Sequence, residues 1–337
     1  MNPFEPAANP DPRPPTYCAY FSFLPRPLFQ LRHDIQLEQS LSDRAYQASE
    51  ETEKESDGVG VGGRGGGGGG VPSAEETTQV ASQLWSLVAG KIGHVVMLKD
   101  VVEKSRTVQE FKDNLLDIDR DMLERATVGQ SDNPRWFESR KFSITGTSCH
   151  TLSIAARKKI FTSRHGSMIT KRDDKPLCVP AVLYGRKSEG IARWQFVARN
   201  RDRPGFAMFE RGIMTHEKYP FLAASVDGIW NDMGEMKLLE IKSPYSLKDT
   251  GLADAGRLQY LVGGPPWTLK RTHQYYSQVQ LYMSIYSIDV CTFLVWTPMD
   301  YLEIQVVYDK NFADNLVANL ASLYMDIFIP GVLDKTY

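Results

Sequence analysis

Ser225-Val226-Asp227-Gly228-Ile229, followed by Leu238-Leu239-Glu240-Ile241-Lys242, decides the fold of this chain. Both stretches are apolar runs, and the segment between them, Asn231–Glu235, is rich in turn formers, so the pattern predicts a β-hairpin. Side chains alternate faces along a strand. Glu240 and Lys242 therefore share a face, while Ile241 points to the other side. Asp227, on the neighbouring strand, comes to lie beside them. Two carboxylates and an ammonium at one edge of a sheet suit Mg²⁺, which takes one or two carboxylates, several waters and substrate phosphate oxygens. Water activated beside such an ion and Lys242 is a nucleophile for phosphodiester hydrolysis. The competing reading is a charged pair on the solvent face of an amphipathic hairpin. Phe221-Leu222-Ala223 before the aspartate and Met236 with Leu238-Leu239 before the glutamate favour buried strands, whose carboxylates need partners.

Outward from the hairpin, helical and strand-like patterns interleave. Helices are expected over Val108–Arg125, after Thr147, over Tyr184–Val197, over Gln274–Ser287 and near Phe312–Phe328. Strands are expected at Ala224–Ile229, Leu238–Ile241, Val290–Trp296 and Leu302–Tyr308. The class is α/β with a central sheet. Ser73 opens a further helix with capping-box spacing. Residues 1–72 read instead as a disordered tail: proline-broken, acidic at Glu50–Asp57, and holding ten glycines between Gly58 and Gly70. The expected division is a tail over 1–72 and one domain over 73–337, made of a helical part (73–130), a catalytic core (131–310) and a closing helix (311–337).

Charge sharpens this. The chain has 39 Lys+Arg and 41 Asp+Glu, a net of −2, but residues 1–70 carry 6 against 10. The remaining residues are net positive. Residues 135–172 hold nine basic side chains (Arg135, Arg140, Lys141, Arg157, Lys158, Lys159, Arg164, Lys171, Arg172) and one acid, Glu138. A local excess of this size suits phosphate contacts that do not depend on base sequence. Four scattered cysteines give neither a disulfide framework nor C-x-x-C metal spacing, and fit an intracellular, reducing compartment, nucleus and cytoplasm both open. No apolar run is expected to span a bilayer, and no membrane partner is expected.

Asp227 with Glu240-Ile241-Lys242 resembles the D…E-x-K core of the PD-(D/E)XK nucleases, and the chain as a whole looks like their YqaJ-type viral recombinase and lambda-exonuclease-like branch. Five ordered blocks over about residues 127–310 carry the likeness. The first is Thr127–Ser131 with Trp136, Arg140 and Ile144-Thr145-Gly146-Thr147. The second is Tyr184-Gly185-Arg186-Lys187-Ser188-Glu189 with Ala192-Arg193. The Asp227 and Glu240 segments are the third and fourth. The fifth is His273-Gln274-Tyr275-Tyr276-Ser277-Gln278-Val279-Gln280, followed by Phe293-Leu294-Val295-Trp296-Thr297-Pro298. Three departures stand out: Val226 replaces a proline, Ser243 a cysteine, and Gly146-Thr147 an Ala-Ser pair. None removes an acid, the lysine or the glutamine.

The resemblance implies a restriction-endonuclease-like core, a mixed sheet flanked by helices, and a Mg²⁺-dependent (or Mn²⁺-dependent) deoxyribonuclease. It further implies a 5′→3′ exonuclease on duplex DNA ends in recombination, with a catalytically inactive DNA-binding module or a structure-specific endonuclease as alternatives. Asp227 and Glu240 are the implied metal ligands, joined by the Ile241 carbonyl and by Glu189 on its helix. Lys242 would orient or deprotonate the attacking water. Gln278 is the favoured helix glutamine. Gln280, about 200° round the helix from it, is the packing alternative. Arg193 follows Glu189 by one turn. Arg140 and Thr147 match residues that hold a terminal 5′-phosphate, which guanidinium and hydroxyl donors suit. His273 and the Tyr275-Tyr276 pair are expected to pack rather than react. A homo-oligomer and a recombinase or strand-annealing partner are compatible with the likeness.

Overall fold

The computed structural model describes residues 95–170 and 179–335, all within one compact unit. The tail over 1–72, the helix expected at Ser73, and Lys171 and Arg172 lie outside the described residues. In chain order the elements are α1 (Leu98–Lys104), α2 (Val108–Asn114), α3 (Arg120–Ala126), α4 (Pro134–Ser139), β1 (Ile144–Thr145), α5 (Gly146–Lys158), α6 (Ser163–Thr170) and α7 (Pro180–Asn200). Then come β2 (Ala207–Phe209), β3 (Met214–Thr215), β4 (Leu222–Ala224), β5 (Gly228–Asp232), β6 (Glu235–Lys242), β7 (Leu261–Gly263) and β8 (Trp267–Leu269). The chain closes with α8 (Gln274–Tyr286), β9 (Val290–Trp296), β10 (Tyr301–Val307), α9 (Lys310–Ser322) and α10 (Ile329–Leu333), a π-helical turn at Leu323–Phe328 joining the last two.

The expected hairpin is β5–β6. It is antiparallel, with Gly228 opposite Leu239 and Asp232 opposite Glu235. Met233 and Gly234 turn it with φ of 52° and 99°, the left-handed pair a two-residue hairpin requires. The central sheet runs β10-β9-β6-β5-β2 and is mixed: β6 and β9 are parallel, the other pairs antiparallel. This is the α/β class with a central mixed sheet flanked by helices that the sequence implied.

Alternation along β6 sorts the two faces. Leu239 and Ile241 join Ala192 and Phe196 of α7, with Trp230, Leu294 and Trp296, in a small core. Leu238 belongs to the larger core on the other face, with Val279 of α8, Phe293 and Leu320. Phe196 and Trp230 are almost unexposed and meet edge-on at 5.1 Å. Each such side chain contributes roughly 2–3 kcal/mol by burial. Glu240, in step with Leu238, must therefore enter the side of the sheet that α8 covers.

Three expectations need correction. The strand predicted over Ala224–Ile229 is two strands, β4 and β5, in different sheets: β4 pairs with β1 and β3, β5 with β6 and β2. The chain changes sheet at Ser225-Val226-Asp227. The helix predicted over Val108–Arg125 breaks after Asn114, because Ile118 turns extended and Asp119 caps a new helix by accepting from Met122 N at 2.9 Å. Leu116, in the break, is 86% exposed. Finally, the helical run Lys310–Leu333, 24 residues, is long and apolar enough to cross a membrane by length and composition. Leu316, Leu320, Tyr324 and Phe328 along it are nonetheless buried in the large core, the packing of a domain's closing helix.

Candidate active site

The change of sheet at Ser225–Asp227 creates the site. Asp227 immediately precedes β5, and its Oδ2 accepts the backbone N–H of Ile241 at 2.6 Å. The aspartate is thereby fixed against the residue between Glu240 and Lys242. Glu240 is only 2% exposed, and its Oε1 accepts from both the Lys242 ammonium and, at 2.6 Å, Gln278 Nε2. Its other oxygen, Oε2, is buried and has no hydrogen-bond partner among the described residues. Burial pushes the Glu240 carboxyl well above the ordinary carboxylate range; Lys242 opposes that shift and Asp227 adds to it. Lys242 feels burial in the downward direction, but Glu240 and Asp227 together outweigh it and hold the ammonium above its usual value.

Glu189 approaches from α7, the element on the other face. Its carboxyl is raised to about 7, chiefly by the charge of Asp227 and then by burial. Glu189 Oε1 accepts from Arg193 Nη2 at 2.5 Å, and Arg193 Nη1 donates to Glu210 at 3.2 Å. Arg193 thus holds Glu189 from one turn away.

The structure brings Asp227, Glu240, Lys242 and Gln278 together, with Glu189 and Arg193 beside Asp227. It places Gln280 elsewhere: Nε2 donates to Val307 O at 2.9 Å and Oε1 accepts from Asp309 N at 2.8 Å. That residue clips the end of β10 to α8, as the helical geometry allowed. Arg140 follows α4 and stacks on Trp136, its guanidinium 4.0 Å from the ring. Trp136 Nε1 donates to Ser225 Oγ at 2.9 Å, and Gln130 Nε2 donates to Val226 O at 2.6 Å. The first sequence block is therefore tied to the segment leading into Asp227. Thr147 is exposed in the first turn of α5, its hydroxyl 3.2 Å from that of Thr145.

The basic stretch is less unified than its sequence suggests. Lys141 pairs with Glu138 at 2.8 Å. Arg157, Lys158 and Lys159 are exposed at the far end of α5, roughly 16 Å along the axis from Thr147 at 1.5 Å per residue. They lie away from the site instead of lining it.

Two aromatic residues belong here that sequence reasoning assigned to packing or passed over. Tyr275 lies under Lys242, the ammonium 5.0 Å from its ring centre. Tyr282, 4% exposed, accepts from Gln278 Nε2 at 3.1 Å. Positions 275, 278 and 282 follow i, i+3, i+7 spacing, so one face of α8 carries all three; that periodicity was the available signal. Tyr276, by contrast, packs edge-on against Phe312, as expected.

No three His, Cys, Asp or Glu side chains among the described residues form a ready-made chelating group. Each acid turns one oxygen to a protein donor: Asp227 to Ile241 N, Glu240 to Lys242 and Gln278, Glu189 to Arg193. The donor set still fits a hard divalent cation. Glu240 Oε2 is buried without a hydrogen-bond partner among the described residues, and the charge of Asp227 raises both Glu189 and Glu240. Two carboxylates completed by water and a substrate phosphate are what Mg²⁺ accepts.

Residues 135–289 match the YqaJ-like viral recombinase domain. No curated protein matches the chain. Among solved structures, an alkaline exonuclease from Laribacter hongkongensis is similar at 18% identity and a TM-score of 0.43, over 60% of this chain and 96% of that one. The shutoff and exonuclease protein from Kaposi's sarcoma associated herpesvirus is similar at 13% identity and 0.42, over 77% and 85%. A phage-related exonuclease from Haemophilus somnus is similar at 9% and 0.40, over 60% and 99%. The matched segment contains Glu189 on α7, the β5–β6 hairpin and all of α8. Residues 135–289 of this chain are thus a segment that matches the YqaJ-like viral recombinase domain.

Proposed function

We propose that this chain is a divalent-cation-dependent deoxyribonuclease that degrades linear duplex DNA from its ends in the 5′→3′ direction, in recombination or DNA processing. One observation carries the reading: Glu240 is buried with one oxygen committed to Lys242 and Gln278 and the other unmatched, beside Asp227. An uncompensated buried carboxylate oxygen costs several kcal/mol, and a cation with a phosphate substrate is the ligand that offsets it. Mg²⁺ is the metal we assign, with Mn²⁺ able to replace it.

Asp227 and Glu240 would hold the cation, with Glu189 alongside and the Ile241 carbonyl as a further oxygen donor. When bound, the ion supplies Lewis acidity at a phosphate oxygen and makes water a better nucleophile. Lys242, held protonated by Glu240 and Asp227, orients the attacking water and balances the charge that builds on the phosphate. Orientation therefore takes precedence over proton abstraction for this residue. Gln278 keeps Glu240 Oε1 engaged, so that Oε2 would be the oxygen left to hold the ion. Arg140, stiffened against Trp136, and the exposed Thr147 hydroxyl take a terminal 5′-phosphate, and the products carry 5′-phosphate and 3′-hydroxyl ends.

The test compares four substrates in Mg²⁺ and in EDTA: linear duplex with 5′-phosphate, linear duplex with 5′-hydroxyl, nicked circles and closed circles. The expected outcome is loss of the linear forms alone, faster with the phosphate, and none in EDTA. Cutting of closed circles replaces the reading with an endonuclease. Binding without cleavage of any form replaces it with a DNA-binding module that has lost catalysis.

A further inference from the structure

Gln278 has two amide hydrogens, and both are used. Nε2 lies 2.6 Å from Glu240 Oε1 and 3.1 Å from the phenolic oxygen of Tyr282, one helical turn further along α8. Tyr282 is 4% exposed, so its contacts are made inside the protein. Its ring also explains a departure in the sequence. Gly146 opens α5, and a Cβ there would lie 2.5 Å from the Tyr282 oxygen and 2.6 Å from two ring carbons. No real side chain tolerates that approach. The phenol occupies the volume that a side chain at position 146 would need.

We propose that Tyr282 is a positioning residue for cation binding, and that Gly146 is kept glycine to admit it. This rests on the functional reading above. An amide that donates to one acceptor alone can swing or flip; an amide clamped between two cannot. With Nε2 clamped, Glu240 Oε1 is held by Gln278 and Lys242 together, and the carboxylate has one rotational state in which Oε2 is the oxygen left to face a cation. Removing the phenol oxygen strands a buried N–H of Gln278 and frees the amide to leave Glu240. The consequence falls on the ligand oxygen, two hydrogen bonds away, as partners behind a metal ligand do. Gly146 brings the start of α5, which carries Thr147, against the same phenol, so the two ends of the proposed substrate site share one support.

The experiment is calorimetric titration of the full chain with Mn²⁺ and Mg²⁺, for wild type, Tyr282→Phe, Gln278→Ala and the double variant, alongside thermal midpoints in EDTA. Tyr282→Phe keeps the ring and its packing. The expected result is cation affinity weakened about 10-fold in Tyr282→Phe, at least as much in Gln278→Ala, and no further in the double variant. Gly146→Ala should reproduce the weakening, and should have no effect on affinity once Tyr282 is replaced by alanine. Wild-type affinity in Tyr282→Phe, or additive losses in the double variant, overturns the proposal while leaving the functional reading in place. A wild-type chain that binds neither ion overturns both.

Discussion

Asp227 Oδ2 accepts the backbone N–H of Ile241 at 2.6 Å, which ties the first acid of the site to the residue between the second acid and the lysine. One hydrogen bond therefore sets the spacing of Asp227, Glu240 and Lys242. It also separates structure from chemistry at this position. Asparagine retains an oxygen that can accept from Ile241 N, and alanine does not. Asp227→Asn is expected to melt close to wild type and to lose cleavage. Asp227→Ala is expected to lose cleavage and also about 1–3 kcal/mol of stability, because a backbone donor is left unmet. Denaturant unfolding of both variants checks this, and equal stability of the two would remove the bond from the account.

Acid crowding makes the cation-free protein sensitive to pH. Glu189 is raised to about 7, first by Asp227 and then by burial, and burial drives Glu240 the same way. A carboxyl whose folded pKa exceeds its unfolded value stabilises fully below the unfolded value, and loses that contribution as pH rises through the folded one. In EDTA the melting temperature should accordingly fall between about pH 4.5 and about pH 7. Glu189→Gln cannot ionise and should flatten the fall near pH 7, and added Mg²⁺ should reverse it in wild type. A melting temperature that climbs across this window contradicts the assignment.

Lys242 rests over Tyr275 at 5.0 Å. Cation–π contacts of this kind are worth about 0.5–2 kcal/mol. Tyr275→Leu should lower kcat by a few-fold to roughly 30-fold, the same range expressed as a rate, with DNA affinity little changed. Tyr275→Phe keeps the ring face and should retain most of the activity. Equal losses in both variants would place the effect in the hydroxyl instead.

Arg140 and the distal basic cluster should separate by salt dependence. Arg157, Lys158 and Lys159 are exposed at the end of α5, away from Thr147. Replacing all three with alanine should weaken DNA binding on every sequence and make the slope of log affinity against log salt shallower, by about 0.9 for each phosphate no longer neutralised. Arg140→Ala should instead remove the preference for a 5′-phosphate. Arg140→Lys should restore little of it, since lysine lacks both the fork and the flat face that lies on Trp136.

Period-two alternation made the E-x-K half of the site legible, because Leu239 and Ile241 had to face one core and Glu240 and Lys242 the other. The i, i+3, i+7 spacing of Tyr275, Gln278 and Tyr282 was equally present in the sequence. Its meaning was hidden, since a buried aromatic on a helix reads as packing until its partner is known. Gly146 gave no local signal: it stands in neither a turn nor a left-handed conformation, and the atom that excludes a side chain there comes from a helix more than a hundred residues later. The change of sheet at Ser225–Asp227 was illegible for a related reason. Leu222-Ala223-Ala224 and Gly228-Ile229-Trp230 are both strand-like, and the pairing partners that divide them, Ile144-Thr145 on one side and Leu238-Leu239 on the other, are tertiary. The break at Asn114–Asp119 did have a local cue in Asp119, an N-cap residue inside a run otherwise periodic for one helix.

The most direct test of the account is the rate of 5′-end-labelled linear duplex degradation in Mg²⁺ by wild type and Glu240→Gln. The glutamine is nearly isosteric but carries no charge for a cation, and burying a neutral amide there should not unfold the chain. The account predicts a wild-type rate abolished by EDTA and a Glu240→Gln rate lower by at least about 10³-fold, with DNA binding in EDTA unchanged. Equal digestion by the two proteins would contradict it.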